Sequence, residues 1–171
     1  MTTPSASASS ASAAHPRFAE ALRTLGLGEL LAEVRAFPEV NRTAAEAAAA
    51  LGCELSQICK SLIFAADDVP VLVLMDGASR VDVERVREEL GAAKVTRARA
   101  EVVRETTGYA IGGVPPFGHR TRTRVLADRG LLDHDVVWAA AGTPYTVFPM
   151  DPKALVAQAG GTLVDVRERT A

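Results

Sequence analysis

Lys60 stands in an otherwise apolar run and is the first residue whose type and position could do chemistry. The run QICKSLIF predicts a strand, in which Lys60 shares one face with Ile58 and Leu62, because side chains two residues apart point the same way. A charged lysine beside apolar side chains is costly unless it meets an anion or loses its proton. The alternative is a strand-end lysine whose ammonium reaches water, and spacing alone favours that alternative.

The second feature is the segment 112–119, GGVPPFGH, which joins glycines to two adjacent prolines. The prolines restrict the backbone, whereas Gly112, Gly113 and Gly118 permit positive φ and close approach by another molecule. Such a stiff turn can aim its free N–H groups at a carboxyl oxygen or a developing oxyanion. The alternative is a rigid surface turn, which composition alone favours.

Weaker signals lie near this turn. The tripeptide at Gly142 and Thr143 predicts a second glycine turn, although such a tripeptide is most often a hairpin turn. His119 could act as a general base or contact a phosphate, but a lone histidine beside a loop is more often a hydrogen-bonding surface residue. Cys53 and Cys59 have no CxxC spacing and are expected to be free thiols. No acidic or histidine spacing predicts a metal site.

Three alternating arginines, Arg120, Arg122 and Arg124, follow the glycine–proline turn. They suit a grip on RNA phosphates and a solvated strand edge about equally well. The formal net charge of −2 excludes a protein coated in basic charge for bulk nucleic-acid binding, but leaves room for such a local patch. The apolar runs are too short to span a bilayer, and the N-terminus does not resemble a secretory signal. We therefore expect a cytoplasmic protein without membrane association.

The elements that must position these residues alternate irregularly between helix and strand. With 171 residues, of which 48% are hydrophobic, the chain is long enough for one sizeable core. Residues 1–14 contain little that can pack and are predicted to form a disordered tail before one domain over 15–171. Hydrophobic periodicity, caps and turns predict helices at 17–25, 44–51, 83–90, 100–106 and 152–159, and strands at 58–65, 71–75, 94–96, 124–127, 136–140, 145–148 and 162–166. The pattern is typical of an α+β domain with a mixed, strongly curved sheet.

Several segments in this order resemble the YbaK/EbsC family of aminoacyl-tRNA deacylases, whose relative is the editing domain inserted in bacterial prolyl-tRNA synthetases. The similar segments are QICKSLIF, PVLVLMDGASRVD, TGYAIGGVPPFGH, VVWAAAGTPYTVF and DPKALVAQAGG. The resemblance covers residues 43–166. It implies a compact α+β domain with a curved, barrel-like mixed β-sheet flanked by helices.

The resemblance also implies an activity, namely hydrolysis of the ester that joins a wrong amino acid to the 3′ end of a tRNA. The family's lysine corresponds to Lys60, its glycine–proline loop to residues 112–116, and its later glycine turn to Gly142. The implied mechanism uses no metal and no cofactor. Lys60 would hold the terminal phosphate or ribose, while backbone N–H groups from Gly112 to Val114 orient the aminoacyl carbonyl. The partners implied are an aminoacyl-tRNA and a prolyl-tRNA synthetase, with no DNA, and the chain would be a monomer or a homodimer.

Departures from the family bear on the substrate. The cysteine-removing branch carries a Ser and an Asp where this chain has Ala140 and Val147, and it lacks the equivalent of His119. A more apolar pocket suits a small residue such as alanine on tRNA(Pro). Around the ester we expect contacts from Pro115, Gly118, His119, Ala140, Gly142, Thr143 and Val147. The alternatives are a non-catalytic module that binds tRNA or a nucleotide beside a synthetase, and an interaction protein with a remodelled pocket.

Overall fold

The computed structural model describes residues 13–38 and 43–169 of the chain. Its helices are α1 Pro16–Thr24, α2 Ala44–Leu51, α3 Val83–Leu90, α4 Ala100–Thr107 and α5 Pro152–Ala159, with short 3₁₀ helices at Gly28–Glu33, Leu55–Gln57 and Arg129–Asp133. Its strands are β1 Arg35–Ala36, β2 Ile58–Ala66, β3 Val69–Asp76, β4 Val95–Arg97, β5 Arg124–Asp128, β6 Val137–Ala140, β7 Thr146–Met150 and β8 Thr162–Val164. Each predicted helix and strand is present, and only the ends differ. The short strand β1 and the 3₁₀ helices were not predicted.

Helix α2, which lies just before β2, has both of its ends set by local sequence. Its N-terminus is a capping box, in which the Thr43 hydroxyl accepts from the Glu46 N–H and the Glu46 carboxylate accepts from the Thr43 N–H, both at 3.1 Å. It stops at Gly52, whose φ of 71° is a left-handed conformation that glycine adopts without strain. The helix therefore begins and ends where the sequence alone requires.

All the strands belong to one mixed sheet. The order is β1-β7-β6-β2-β3-β5-β8, and β4 pairs with β2 beside this path. The pairs β2–β6, β3–β5 and β5–β8 are parallel, whereas β1–β7, β6–β7, β2–β3 and β2–β4 are antiparallel. The prediction of a curved mixed sheet flanked by helices is confirmed. The two end strands, β1 and β8, do not pair with each other in the described part of the chain, so the sheet stays open and is not a closed barrel.

Strand β3 lies in the middle of the sheet and is apolar on both faces, as its sequence predicted. Leu72 and Leu74 pack into the core beneath α1 and α5, whereas Val71, Val73 and Met75 pack into a second core on the side of α3. A strand that is covered on both faces needs a continuous apolar run. The two cores hold the central strands in place on either side of the sheet.

Two details near the N-terminus differ from the prediction. Leu25, the last residue of the predicted helix 17–25, lies beyond the last turn of α1 as its C-cap and is 42% exposed. Ala14 is buried in the core, so packing begins before the predicted domain boundary at residue 15. Residues 1–12 of the predicted tail lie outside the described residues. Among the described residues, no helix is long and apolar enough to cross a membrane.

Candidate active site

Lys60 is the third residue of β2 and is half-buried. Its ammonium donates a hydrogen bond of 2.7 Å to the backbone carbonyl of Ser79, in the turn after β3. Burial lowers the pKa of Lys60, and the positive charges of Arg97 and Arg80 lower it further. The carboxylate of Asp76 acts in the opposite direction and raises the pKa of Lys60. Strand β2 thus holds an ammonium that the surrounding protein solvates only in part. A cation in such a position favours the binding of an anion.

Lys60 lines a cavity of about 290 Å³ that opens between β2, β6 and the glycine–proline loop. Helix α2 closes one side of it through Ala44 and Ala47. The cavity brings together six residues predicted from the sequence: Lys60, Gly112, Val114, Ala140, Thr143 and Val147. Apolar walls with a few converging polar groups are typical of sites for small ligands.

Ala140 and Val147 face each other across the antiparallel β6–β7 pair. Ala139 lies beside Cys59 in the parallel β2–β6 pair, and both are in the main core, so Ala140 takes the opposite face, which it shares with Lys60. Neither side chain can form a hydrogen bond. This wall of the cavity is therefore apolar, as the sequence predicted.

The two glycine turns pack directly against each other. A Cβ added at Gly113 would lie 2.8 Å from the Cα of Thr143, so only glycine fits between the turns. The N–H of Gly113 donates to the carbonyl of Ala110 at 2.9 Å, which corrects the expectation that it is free for a substrate. Gly112 and Val114 line the cavity, whereas Gly113 does not.

Gly142 does not line the cavity. It is buried with a φ of 99°, and a Cβ added there would collide with the Cβ atom of His15. The His15 N–H donates to the carbonyl of Ala141 at 3.0 Å, which ties the start of α1 to this turn. Gly142 thus acts by letting the turn pack, one residue before the cavity wall at Thr143.

His119 and Gly118 are not part of the Lys60 cavity, which corrects their expected contact with the ester. They line a larger cavity of about 760 Å³ beneath α1, on the other side of the loop. The Nε2 atom of His119 lies 2.6 Å from the carbonyl of Pro115 and must carry the hydrogen, because a carbonyl only accepts. Burial lowers the pKa of His119, and the bond to Pro115 offsets part of that effect. The hydrogen bond between His119 and Pro115 therefore stabilises the loop on the side away from the Lys60 cavity.

Arg120, Arg122 and Arg124 are exposed and lie away from Lys60. Arg122 lines the larger cavity, and none of the three arginines lines the Lys60 cavity. The arginine that lines the Lys60 cavity is Arg97, whose guanidinium lies 5.5 Å from the centre of the Phe64 ring. Nothing in the sequence distinguished Arg97 from the other arginines, because its strand, β4, has only three residues and therefore shows no clear alternation.

Sequence reasoning missed several groups of this site. The contributions of Asp76 and Ser79 depend on the turn after β3, and Ser61 has no motif of its own. The available signal was that all three lie within segments that resemble the family, Ser61 in QICKSLIF and Asp76 and Ser79 in PVLVLMDGASRVD.

The cysteine thiols and acidic side chains of this region add neither an activated nucleophile nor a metal site among the described residues. Cys59 is buried, and burial raises the pKa of its thiol to about 12, with a further rise caused by Asp76. Both cysteines are free, and within the described ranges no group of three His, Cys, Asp or Glu side chains could hold a metal ion. The polar groups of the cavity are therefore a lysine, an arginine, hydroxyls and backbone groups.

Residues 38–157, more than half of the chain, match the sequence model of the aminoacyl-tRNA editing domain. The chain belongs to the aminoacyl-tRNA editing domain family. A curated relative of this editing domain is the uncharacterized protein YwhH of Bacillus subtilis, 32% identical over 72% of this chain and 78% of that protein. The proline–tRNA ligase of Thermosipho melanesiensis is 36% identical over 53% of this chain, but the match spans only 16% of the ligase.

Solved structures resemble the editing domain over almost its whole length. A crystal structure described as a candidate trans-editing enzyme for prolyl-tRNA synthetase is 40% identical, with a TM-score of 0.84 over 99% of this chain and 100% of that one. The hypothetical protein APE2540 is 32% identical, with a TM-score of 0.79 over 89% of this chain and 99% of its own. The fold expected from the sequence resemblance is thus confirmed.

The contact between the two glycine turns can be tested in the editing domain by Gly113→Ala. Because the added methyl group meets backbone rather than a flexible side chain, we expect the free energy of unfolding to fall by about 1–3 kcal/mol. Urea unfolding measures the change. Gly28→Ala is the matched control, since the nearest atom to its added Cβ lies 3.7 Å away, and it should change stability by less than about 0.5 kcal/mol. Equal effects of the two substitutions would contradict the tight contact.

Proposed function

We propose that this chain is a trans-editing aminoacyl-tRNA deacylase, which hydrolyses the ester of tRNA(Pro) carrying a small wrong amino acid such as alanine. The observation that carries the proposal is the half-buried Lys60 ammonium, which lines a cavity together with Gly112 and Val114 of the glycine–proline loop. In an editing-domain chain, a cation and free backbone N–H groups beside one small cavity suit an ester attached to a polyanion.

Lys60 is proposed to bind the terminal phosphate or ribose of the tRNA in its charged form. The Ser79 carbonyl at 2.7 Å holds the ammonium in place, and the field of Asp76 favours its charge. A phosphate would add a negative charge at a site where burial disfavours an uncompensated cation, so substrate binding and lysine charge support each other. A neutral Lys60 acting as general base is the second choice, because the field of the Asp76 carboxylate favours the charged form.

The N–H groups of Gly112 and Val114 are proposed to orient the aminoacyl carbonyl and to stabilise the oxyanion that forms on it. A water molecule attacks the carbonyl carbon, the bond from that carbon to the ribose oxygen breaks, and the ribose oxygen leaves with a proton that the water gives up, so the products are the free amino acid and the tRNA. An aminoacyl ester is already activated, so positioning and electrostatic stabilisation can supply much of the rate enhancement. The fixed Gly113–Thr143 contact serves this function by holding the loop rigid.

Alanine is the proposed amino acid because the wall formed by Ala140 and Val147 is apolar and offers no hydrogen bond to a thiol or hydroxyl. The tRNA and the partner are proposed from the relatives: a neighbour at 40% identity is described as a candidate trans-editing enzyme for prolyl-tRNA synthetase, and proline–tRNA ligases contain a matching segment. A prolyl-tRNA synthetase is accordingly the proposed partner of this chain.

Removing the lysine tests the chemistry. Lys60→Ala should lower the single-turnover rate of alanyl-tRNA(Pro) hydrolysis by at least roughly a hundredfold, since one preorganised electrostatic contact contributes about that much. Lys60→Arg should also fail, because a broad guanidinium does not reproduce a compact ammonium. The exposed Lys153→Ala is the control and should keep full activity.

The stability of the same variant separates catalysis from folding. Burial lowers the pKa of Lys60, so the folded state binds the proton less tightly than the unfolded chain, and the charged lysine costs stability at neutral pH. Lys60→Ala should therefore keep or raise Tm in a thermal melt. Full turnover by a folded Lys60→Ala would favour the non-catalytic binding module instead.

Substrate choice is tested with alanyl-, seryl- and cysteinyl-tRNA(Pro) under single-turnover conditions. Alanine should react fastest, with some hydrolysis of serine, because one methylene or hydroxyl in an apolar pocket is worth only about 1–3 kcal/mol. Ala140→Ser should shift the ratio toward cysteine and serine. Cysteine hydrolysed tenfold faster than alanine by the unmodified chain would overturn the assignment.

Arg120, Arg122 and Arg124 are proposed to contact tRNA phosphates away from the 3′ end. Replacing all three with Gln should weaken tRNA binding and make its affinity less dependent on salt, because each lost phosphate contact reduces the slope of log affinity against log salt by roughly 0.7–0.9. Filter binding between low and moderate salt measures the slope. An unchanged slope would leave the three arginines as a solvated strand edge.

A further inference from the structure

One edge of β2 is shared by two strands and is open between them. At the start of β2, Ile58 and Cys59 pair with β6, and at its end residues 64–66 pair with β4. Within the part of the chain that the structure describes, no strand pairs with residues 60–63 on this edge. The other edge pairs with β3 along its length. The cavity lies at this opening, since all residues from 58 to 63 line it.

The alternation of strand hydrogen bonds decides which backbone groups face the opening. The Gly77 N–H donates to the Ile58 carbonyl at 2.7 Å, so Ile58 and every second residue after it turn their backbone groups toward β3. Ser61 and Ile63 have the opposite parity and face the open edge. The Ile63 carbonyl accepts from the Ala98 N–H at 3.1 Å on that side, in agreement with this parity. The N–H and the carbonyl of Ser61 therefore face the cavity without a strand partner.

The Ser61 hydroxyl also lacks a partner. Its Oγ atom is buried and, among the described residues, forms no hydrogen bond. The side chain lies on the same face of β2 as the apolar Cys59 and Ile63, which also line the cavity. Buried hydroxyls and backbone groups are nearly always paired, so an unpartnered carbonyl and hydroxyl in one residue indicate a ligand donor.

The ligand proposed for this cavity offers such a donor. An aminoacyl ester carries its α-ammonium and its carbonyl on one carbon, as a strand residue carries its N–H and C=O. A strand edge can pair with such a group as it pairs with the backbone of an added strand. An ammonium has only donors, whereas the Ser61 carbonyl accepts and its hydroxyl can accept.

We propose that Ser61 binds the α-ammonium of the aminoacyl group, which donates hydrogen bonds to the Ser61 carbonyl and Oγ. This inference rests on the proposed function and adds a positioning residue that recognises the amino group rather than the side chain of the amino acid. It makes the enzyme selective for a free amino terminus. An ester whose α-nitrogen is acylated, as in peptidyl-tRNA, loses the positive charge and two donors and is spared.

The test compares alanyl-tRNA(Pro) with lactyl-tRNA(Pro), in which a neutral hydroxyl replaces the ammonium, and with N-acetylalanyl-tRNA(Pro). Each single-turnover rate is divided by the uncatalysed rate in the same buffer, because the ammonium itself activates the ester. Both altered esters should lose roughly tenfold to a hundredfold, the change that a hydrogen bond to a charged group supports. Equal normalised rates for all three esters would overturn the proposal.

Ser61→Ala separates recognition from structure. It should slow alanyl-tRNA hydrolysis roughly tenfold but slow lactyl-tRNA hydrolysis much less, since a hydrogen bond from the neutral lactyl hydroxyl is weaker than one from an ammonium. Ser61→Thr keeps the hydroxyl and should restore most of the alanyl rate. Ser56→Ala removes a hydroxyl bonded to His134 outside the cavity and should affect neither ester. An equal loss on both esters with Ser61→Ala would assign Ser61 a purely structural role.

A binding measurement keeps this inference distinct from the proposed function. Amide-linked alanyl- and lactyl-adenosine analogues cannot be hydrolysed, and the alanyl analogue should bind at least roughly tenfold tighter. If no aminoacyl-tRNA is hydrolysed but this preference persists, the deacylase proposal fails and amino-group recognition stands. If the two analogues bind equally, the recognition proposal fails whatever the turnover.

Discussion

Strand β2 must satisfy its backbone on both edges, and one of those edges is divided between two strands that run in opposite directions. β6 runs parallel to β2 and covers its start, whereas β4 runs antiparallel and covers its end. The interval between them, residues 60–63, is bordered by Gly112 and Val114 of the glycine–proline loop across the cavity. Lys60 on one face and Ser61 on the other are adjacent in sequence, and both line the cavity at that interval. The cavity therefore follows from strand pairing.

Holding Lys60 there has a cost that the surrounding fold reduces. The Asp76 carboxylate is buried and accepts from the Ala78 N–H at 2.9 Å, which fixes the turn after β3. The same turn presents the Ser79 carbonyl to the lysine. Gly77 allows this turn to lie against the backbone of Leu55, because an added Cβ would come within 2.6 Å of the Leu55 carbonyl oxygen. Such partial compensation, which leaves a charge stabilised but not fully paired, is the usual compromise between stability and function at a site.

The glycine–proline loop lies between two cavities, and different residues of the loop line each of them. Gly112 and Val114 face the Lys60 cavity, whereas Gly118 and His119 face the larger one beneath α1. The loop stays rigid because Phe117 packs on the aromatic core and Tyr109 donates its hydroxyl to the Gly118 carbonyl at 3.1 Å. Burial raises the pKa of Tyr109 to about 12, so the phenol keeps the hydrogen that this bond requires. A loop braced in this way can present its N–H groups without rearranging.

The sequence by itself determined the five α-helices and seven of the eight strands that the structure describes, because the capping box at Thr43, the left-handed glycines and the two-faced run of β3 are local signals. It also singled out Lys60, Gly112, Val114, Ala140, Thr143 and Val147, which the structure gathers around one cavity. Only the tertiary structure decided that His119 and the three arginines lie elsewhere, since proximity along the chain says nothing about which side of a loop a residue faces. The open edge at Ser61 was equally out of reach, because it depends on where two distant strands stop pairing with a third.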